Sequence, residues 1–311
     1  MLLNEYAITP DVFDDDCCIE KAAHRAYFQI FQNHLFYEPA LVRDLCNGGW
    51  DRYVFKHFGE VSIKTKELIK KLKTQNRLRK AITAKIESPV NYFEWWKEAN
   101  HSNELEPLTG IITSAELARK VKKKKAKSIS IEKLGTAQWW KNNDPEIEVV
   151  RNINEYLKHL KIILAHAKSI IFIDPYLDPR QNHYKPFEKI LLSIRRSSDP
   201  PLIQIHRKYL DVYARNEEDR KFKWEDIFRK AYSDLLRKAG LSIEVVIWGN
   251  FHDRYLLTDF IGIGLGKGFD TDNTITSWSR TGRGRLDTLF KYYNPDSDDG
   301  PYALVHRFKI P

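Results

Sequence analysis

Cysteine, methionine and long apolar runs are all scarce in this 311-residue chain. Three cysteines are present, Cys17, Cys18 and Cys46, and the adjacency of the first two suits neither a bridge nor metal-ligand spacing. A disulfide framework is excluded, and reduced, inert thiols are expected. No stretch of about 18 apolar residues occurs. The opening residues, with Asn4, Glu5, Asp11 and Asp14, lack the basic-then-apolar order of a secretory leader. Residence in the cytoplasm, away from membranes, is the expectation. His166, His183 and His306 have no carboxylate or cysteine in metal-site arrangement, so no metal or other cofactor is expected.

Basic residues are abundant. Lys and Arg number 51 against 42 Asp and Glu, a net charge of +9 that favours a polyanionic partner, with nucleic acid as first candidate. At 42% hydrophobic residues and a mean hydropathy of -0.53, the chain can fill cores beneath a charged surface. Its length points to two domains. Residues 1–143 alternate short apolar stretches with charged helix formers, which predicts a mainly helical, basic domain for nucleic-acid or partner binding. One helix is expected over Val61 to Thr83, and the aromatics between Tyr92 and Trp96 are expected in the core. Between Arg119 and Lys127 seven of nine residues are basic. That strip is either a solvated helix surface or linker, or a phosphate-tracking surface; its concentration favours the second.

Residues 144–311 read differently. Asp144-Pro145 has the form of a helix start, and Ile147, Val150, Ile153, Leu157, Leu160 and Leu164 recur at helical spacing. Ser169 to Ile173 is a short apolar run that stops at Asp174-Pro175-Tyr176, a buried strand. A helix from Phe187, a strand from Leu202 to His206, a charged helix from about Glu217 to Lys238 and a strand from Ser242 to Trp248 follow. This alternation predicts a largely parallel sheet. Strands from Arg254 to Thr258, Ile261 to Leu265, Asn273 to Trp278 and Tyr302 to Phe308 give the α/β unit a β-rich finish.

Directly after the Ser242 to Trp248 strand come His252 and Arg254, two residues apart and therefore on one face of an extended segment, with Asp259 five residues further on. A neutral imidazole can attack phosphorus and leave again, while a guanidinium beside it holds two phosphate oxygens. His252-x-Arg254-x4-Asp259 resembles the His-x-Lys-x4-Asp motif of the phospholipase D superfamily, with Arg254 in the lysine position. The glycine-rich segment that follows the motif is represented by Gly266, although Lys267 and Asp270 replace the Ser or Gly and the Asn of the family pattern. Asp174-Pro175-Tyr176 is similar to the end of the family's first strand. The resemblance covers about half the chain. It implies a phospholipase-D-like α-β-α sandwich and metal-independent phosphoryl transfer through a phosphohistidine at His252, with Arg254 and Asp259 completing the motif. Gly266, Lys267, Asp270, Asp174 and Tyr176 are then supporting or substrate-binding residues.

Two histidines are needed for that chemistry, and the chain has one good motif. His206-Arg207-Lys208 lacks the acid of a second copy, so the resemblance implies a homodimer with a shared site. Nuclease activity is the leading expectation. The alternative is a lapsed domain that binds nucleic acid or assembles with a partner protein, as in a defence system, for which Lys267 and Asp270 speak. Lys122, Lys123, Lys124 and Lys125 have no core to support, so neutralising all four is expected to weaken nucleic-acid binding and flatten its salt dependence by about 0.9 in slope per lost phosphate contact. Titrations at several salt concentrations check this, and an unchanged slope would return the strip to a solvated linker.

Overall fold

The structure, a computed structural model, describes all residues except 1, 18–20, 61, 82–83, 122–126, 195–198, 210–216 and 298, and for 217–222 the backbone alone. It comprises two compact units, Leu3–Asp144 and Pro145–Pro311. No described helix is long and apolar enough to cross a membrane.

The first unit is rich in helix, as its sequence pattern predicts, but it is built on a parallel sheet that the pattern does not report. Strands β1 (Asn4–Ile8), β2 (Ala40–Asp44), β3 (Leu78–Lys80), β4 (Gly110–Thr113) and β5 (Ser128–Ser130) form a parallel sheet in the order β3-β2-β1-β4-β5. Between them run α1 (Lys21–Tyr37), α2 (Leu45–Val54), α3 (Ile63–Thr74), α4 (Tyr92–Leu105) and α5 (Ala115–Val121), and α6 (Gln138–Lys141) comes last. The strands escape the sequence pattern because β1, β2 and β4, buried on both faces, do not alternate, and β3 and β5 are only 3 residues long. The sheet also carries charges inward. Glu5 on β1 accepts from the Arg43 guanidinium on β2 at 2.6 and 3.0 Å and from Arg79 on β3 at 2.8 and 3.0 Å. The Arg43 and Glu5 side chains are 0% and 4% exposed. The helix expected over Val61 to Thr83 is replaced by α3 and then β3, with Asn76 in the left-handed region at φ 51° turning the chain between them. Trp95 and Trp96 are buried, as expected, on a helix that Asn91 caps through the Glu94 N–H. Burial pushes the Cys17 and Cys46 thiols up to about 12, which leaves them unreactive.

The second unit contains an eight-stranded mixed sheet. Its elements are β6 (Glu146–Val150), α7 (Ile153–His166), β7 (Ser169–Ile173), α8 (Phe187–Ser193), β8 (Leu202–Lys208), α9 (Glu217–Ala239), β9 (Ile243–Trp248), β10 (Tyr255–Thr258), β11 (Gly262–Leu265), β12 (Ile275–Thr281), α10 (Arg283–Tyr292) and β13 (Leu304–Ile310). The sheet order is β13-β9-β8-β7-β10-β11-β12-β6, and only β7, β8 and β9 pair in parallel, so the largely parallel sheet of the sequence reading gives way to a mostly antiparallel one. Residues 146–150 are an edge strand on β12 rather than the start of a helix, because β-branched Ile147, Val149 and Val150 favour extended backbone. The helix starts later, capped by Asn152, which accepts from the Glu155 N–H at 3.0 Å.

Alternate residues of β7 sort the helices onto two faces. Phe172 meets Phe187 of α8 at 5.0 Å, and Phe187 meets Tyr232 of α9 at 6.4 Å. Its neighbour Ile173 joins Leu257, Leu286 and Leu289 in a separate cluster under α10. The ends of β7, β8 and β9 thus open where Asp174, Lys208 and the loop bearing His252 emerge.

In the first unit, burial pushes the Glu5 carboxyl up, but the Arg43 and Arg79 guanidiniums outweigh this and hold it below its ordinary value. Its stabilising share is full above the unfolded carboxyl value and is lost as pH falls through the folded one. Glu5→Gln is expected to cost about 3–5 kcal/mol, since it strands a buried Arg43, and to flatten the acid dependence of stability. Urea unfolding at neutral and acid pH checks this; a midpoint equal to the parent's would show the arginines to be satisfied without Glu5.

Candidate functional site

Asp174, the residue after β7, is 0% exposed and gathers the site. One carboxylate oxygen accepts from the Tyr176 N–H at 3.0 Å, the other from the Phe269 N–H at 3.0 Å, and the Tyr184 hydroxyl spans both at 3.2 and 3.1 Å. Burial raises the Asp174 carboxyl above its ordinary value, and these donors and the Arg254 charge oppose that rise. The approach of Phe269 depends on Gly268, whose φ of +90° is in the region that favours glycine. A Cβ there would lie 2.3 Å from Asp174 Oδ2 and 3.2 Å from Arg254 Cδ. Sequence reasoning chose Gly266, which donates to the Ser277 carbonyl at 3.0 Å within the β11 to β12 pairing, and passed over Gly268.

Arg254 stands at a divide. Its Nη1 donates to the His252 carbonyl at 3.2 Å and its guanidinium lies 5.1 Å from the Tyr176 ring centroid, while Nε is buried without a partner among the described residues. Arg254 lines two cavities. One, of about 590 Å³, has His252 at its wall with Arg280 and Arg285, the hydroxyls of Ser277, Ser279 and Thr281, and Asp253 as its one carboxylate. The other, of about 530 Å³, is lined by Tyr176, Arg207, Trp224 and Lys267 among others. His252 is exposed, and its imidazole has no hydrogen-bond partner among the described residues.

Asp259, Asp270 and His206, all named from the sequence, take other roles. Asp259, at the far end of β10, accepts from the Lys168 and Ser169 N–H groups at 2.8 and 3.3 Å, roughly 16 Å along the strand from Arg254. It ties β7 to β10 and does not reach His252. Asp270 and Asp272 are both ion-paired with Arg151, so neither is free to orient an imidazole. His206 is 0% exposed, accepts from Trp248 Nε1 at 3.0 Å through Nδ1, and pairs with Gln204 at 3.2 Å through Nε2. Burial depresses it to about 3, which keeps it neutral and structural. Lys267 and Tyr176 do line the site, whereas Lys122, Lys123, Lys124 and Lys125 lie outside the described residues. Arg207 and Trp224 were missed; the basic triplet at the end of β8 was the available signal.

No protein family and no curated protein matches this chain. Among solved structures, that of TrmBL2, an archaeal chromatin protein with a novel mode of DNA binding, aligns over 88% of this chain and 90% of its own at 13% identity, with a TM-score of 0.28. A likeness that slight bears on neither fold nor function.

Because Gly268 brings Phe269 onto Asp174, Gly268→Ala is expected to destabilise the chain by roughly 1–3 kcal/mol through backbone strain and to displace Arg254. Thermal unfolding, with and without inorganic phosphate, checks this. Parental stability and an unchanged response to phosphate would show that the turn is not needed.

Proposed function

We propose that the C-terminal unit is a phospholipase-D-like phosphodiesterase domain that cleaves nucleic acid at His252, in a site completed by a second copy of the chain. The observation that carries this reading is Arg254, a guanidinium with free donor capacity held between two cationic cavities beside an accessible imidazole. The mixed α/β architecture supports this reading at the level of fold class. In the reaction, the His252 imidazole attacks phosphorus and the bond to the leaving alkoxide breaks. The imidazolium of a second His252 protonates that oxygen. Water then attacks phosphorus, the same second histidine takes its proton, and the N–P bond breaks to free a phosphomonoester and the imidazole. Arg254 offsets the charge that builds on the phosphoryl oxygens at each stage. The requirement for a second copy follows from His206, which is engaged at both ring nitrogens and unavailable as proton donor. The net charge of +9 and the basic strip favour nucleic acid as the substrate class.

Two observations favour a second reading, in which the domain binds phosphodiesters without cleaving them: among the described residues no carboxylate hydrogen-bonds His252, and Asp270, at the family's Asn position, is committed to Arg151. Cleavage of labelled single- and double-stranded DNA and RNA in EDTA separates the two readings. The parent is expected to cut, His252→Ala to be inactive, Arg254→Ala to lose ~100-fold in rate, about 3 kcal/mol, and Arg254→Lys to keep part of the activity as a point charge. Sedimentation is expected to give a dimer. Equal rates for Arg254→Ala and the parent, or a fully active monomer, would remove the shared Arg254 and His252 site.

A further inference from the structure

The cavity beyond Arg254 has a buried cation at its floor that no fold requirement explains. Arg207 is 0% exposed, and its guanidinium stacks 3.2 Å from the Trp224 ring centroid. Its Nε donates to the Lys208 carbonyl at 3.1 Å, while Nη1 and Nη2 have no partner among the described residues. Stacking fixes the plane of the group, so the unused N–H donors point sideways in a defined fan. Burying a charge without a partner is costly, and burial lowers this guanidinium to about 9, still charged at neutral pH. An apolar side chain would stack on Trp224 without that cost, so the charge serves something other than stability.

The neighbouring charges sort cleanly. Arg180 is spent on Asp178 at 2.7 to 3.2 Å, and Arg151 on Asp270 and Asp272. Arg254 shares the field of buried Asp174. Arg207 and Lys267 are the cavity-lining cations that form no ion pair among the described residues; the carboxylates in the field of Arg207, Asp178 and Asp174, are engaged by Arg180 and by the donors around β7, so the cavity keeps a positive surplus that suits a dianion. Because Arg207 is on the floor, a group must project inward to reach it. A chain-terminal phosphate does so with three free oxygens, whereas an internal diester carries chain on both sides.

We propose that this cavity is a subsite for a phosphomonoester dianion, the terminal phosphate of a nucleic-acid strand, held by Arg207 and Lys267 with Arg254 at its edge. The site then acts next to a phosphorylated strand end, an inference that rests on the phosphodiesterase reading for its ligand but needs no turnover to be tested. The experiment measures binding of four short oligonucleotides to the His252→Ala chain, which cannot turn them over: 5′-phosphorylated, 3′-phosphorylated, doubly phosphorylated and hydroxyl-ended. Thermal unfolding in inorganic phosphate runs alongside.

One phosphorylated end is expected to bind at least ~10-fold more tightly than the hydroxyl-ended strand, and Arg207→Met to abolish that difference. In the parent background, Arg207→Met is expected to unfold no lower than the parent without phosphate and to lose the phosphate-induced rise in Tm, with Arg207→Lys keeping part of it. Loss of the end preference in Arg207→Met supports the subsite even if the parent never cleaves, a result that overturns only the phosphodiesterase reading. Equal binding of all four strands, or an end preference and phosphate response that survive both Arg207 variants, overturns the subsite whatever the parent cleaves. If Arg207→Met does not fold, the role of Arg207 is structural and the proposal falls unless Arg207→Lys folds with a reduced end preference.

Discussion

A fully buried carboxylate holds this site together. Asp174 stands at the open end of β7 and, through two backbone N–H groups and the Tyr184 hydroxyl, binds its own loop at Tyr176, Tyr184 10 residues on, and a third segment at Phe269, 95 residues away. Its negative charge makes it favourable to keep Arg254 beside it, and Gly268 makes the approach of the third segment possible. A carboxylate so enclosed would be costly alone, and donors on every side offset that cost. The cations face outward from it. Arg254 lines both cavities, and the proposed reading puts its anions there.

Much of the second unit was legible from its sequence, and the reasons are physical. Short, largely apolar runs such as Ser169–Ile173 and Ile243–Trp248 are too short for helices and too apolar for loops, so β7 and β9 stood out. His252 and Arg254 were found by spacing, and the structure brings both to one cavity. Asp174 and Tyr176 were found as the end of a strand. Residues 146–150 were misread because Ile147 and Val150 continue a three-and-four spacing into α7, although local β-branching opposed it. Direction of pairing was misread because alternation of helix and strand says nothing of β10 to β13, which follow as hairpins and returns.

The first unit was hidden by its own chemistry. Glu5, Arg43 and Arg79 each sit in a strand, and each makes a buried strand look like part of a charged helix surface until the three are seen to face one another. No periodicity reports such a cluster, because its members come from three strands that only the fold brings together. Arg207 escaped notice for the same reason: its distinction is that Nη1 and Nη2 are buried with no hydrogen-bond partner among the described residues, which is a property of the folded chain. Among single positions, the glycine that matters was told apart from its neighbours only by φ and by what its missing Cβ would strike.

The account stands on Arg254 as the group that receives phosphate, with His252 on one side and the Arg207 cavity on the other. A crystal structure of the chain with a non-hydrolysable phosphorothioate dinucleotide tests this most directly. The account predicts the phosphorothioate against Arg254, at the roughly 2.7–2.9 Å of a charge-assisted hydrogen bond, with the His252 imidazole facing phosphorus. A ligand bound elsewhere, with Arg254 still turned to the His252 carbonyl and making no contact to it, would contradict the account.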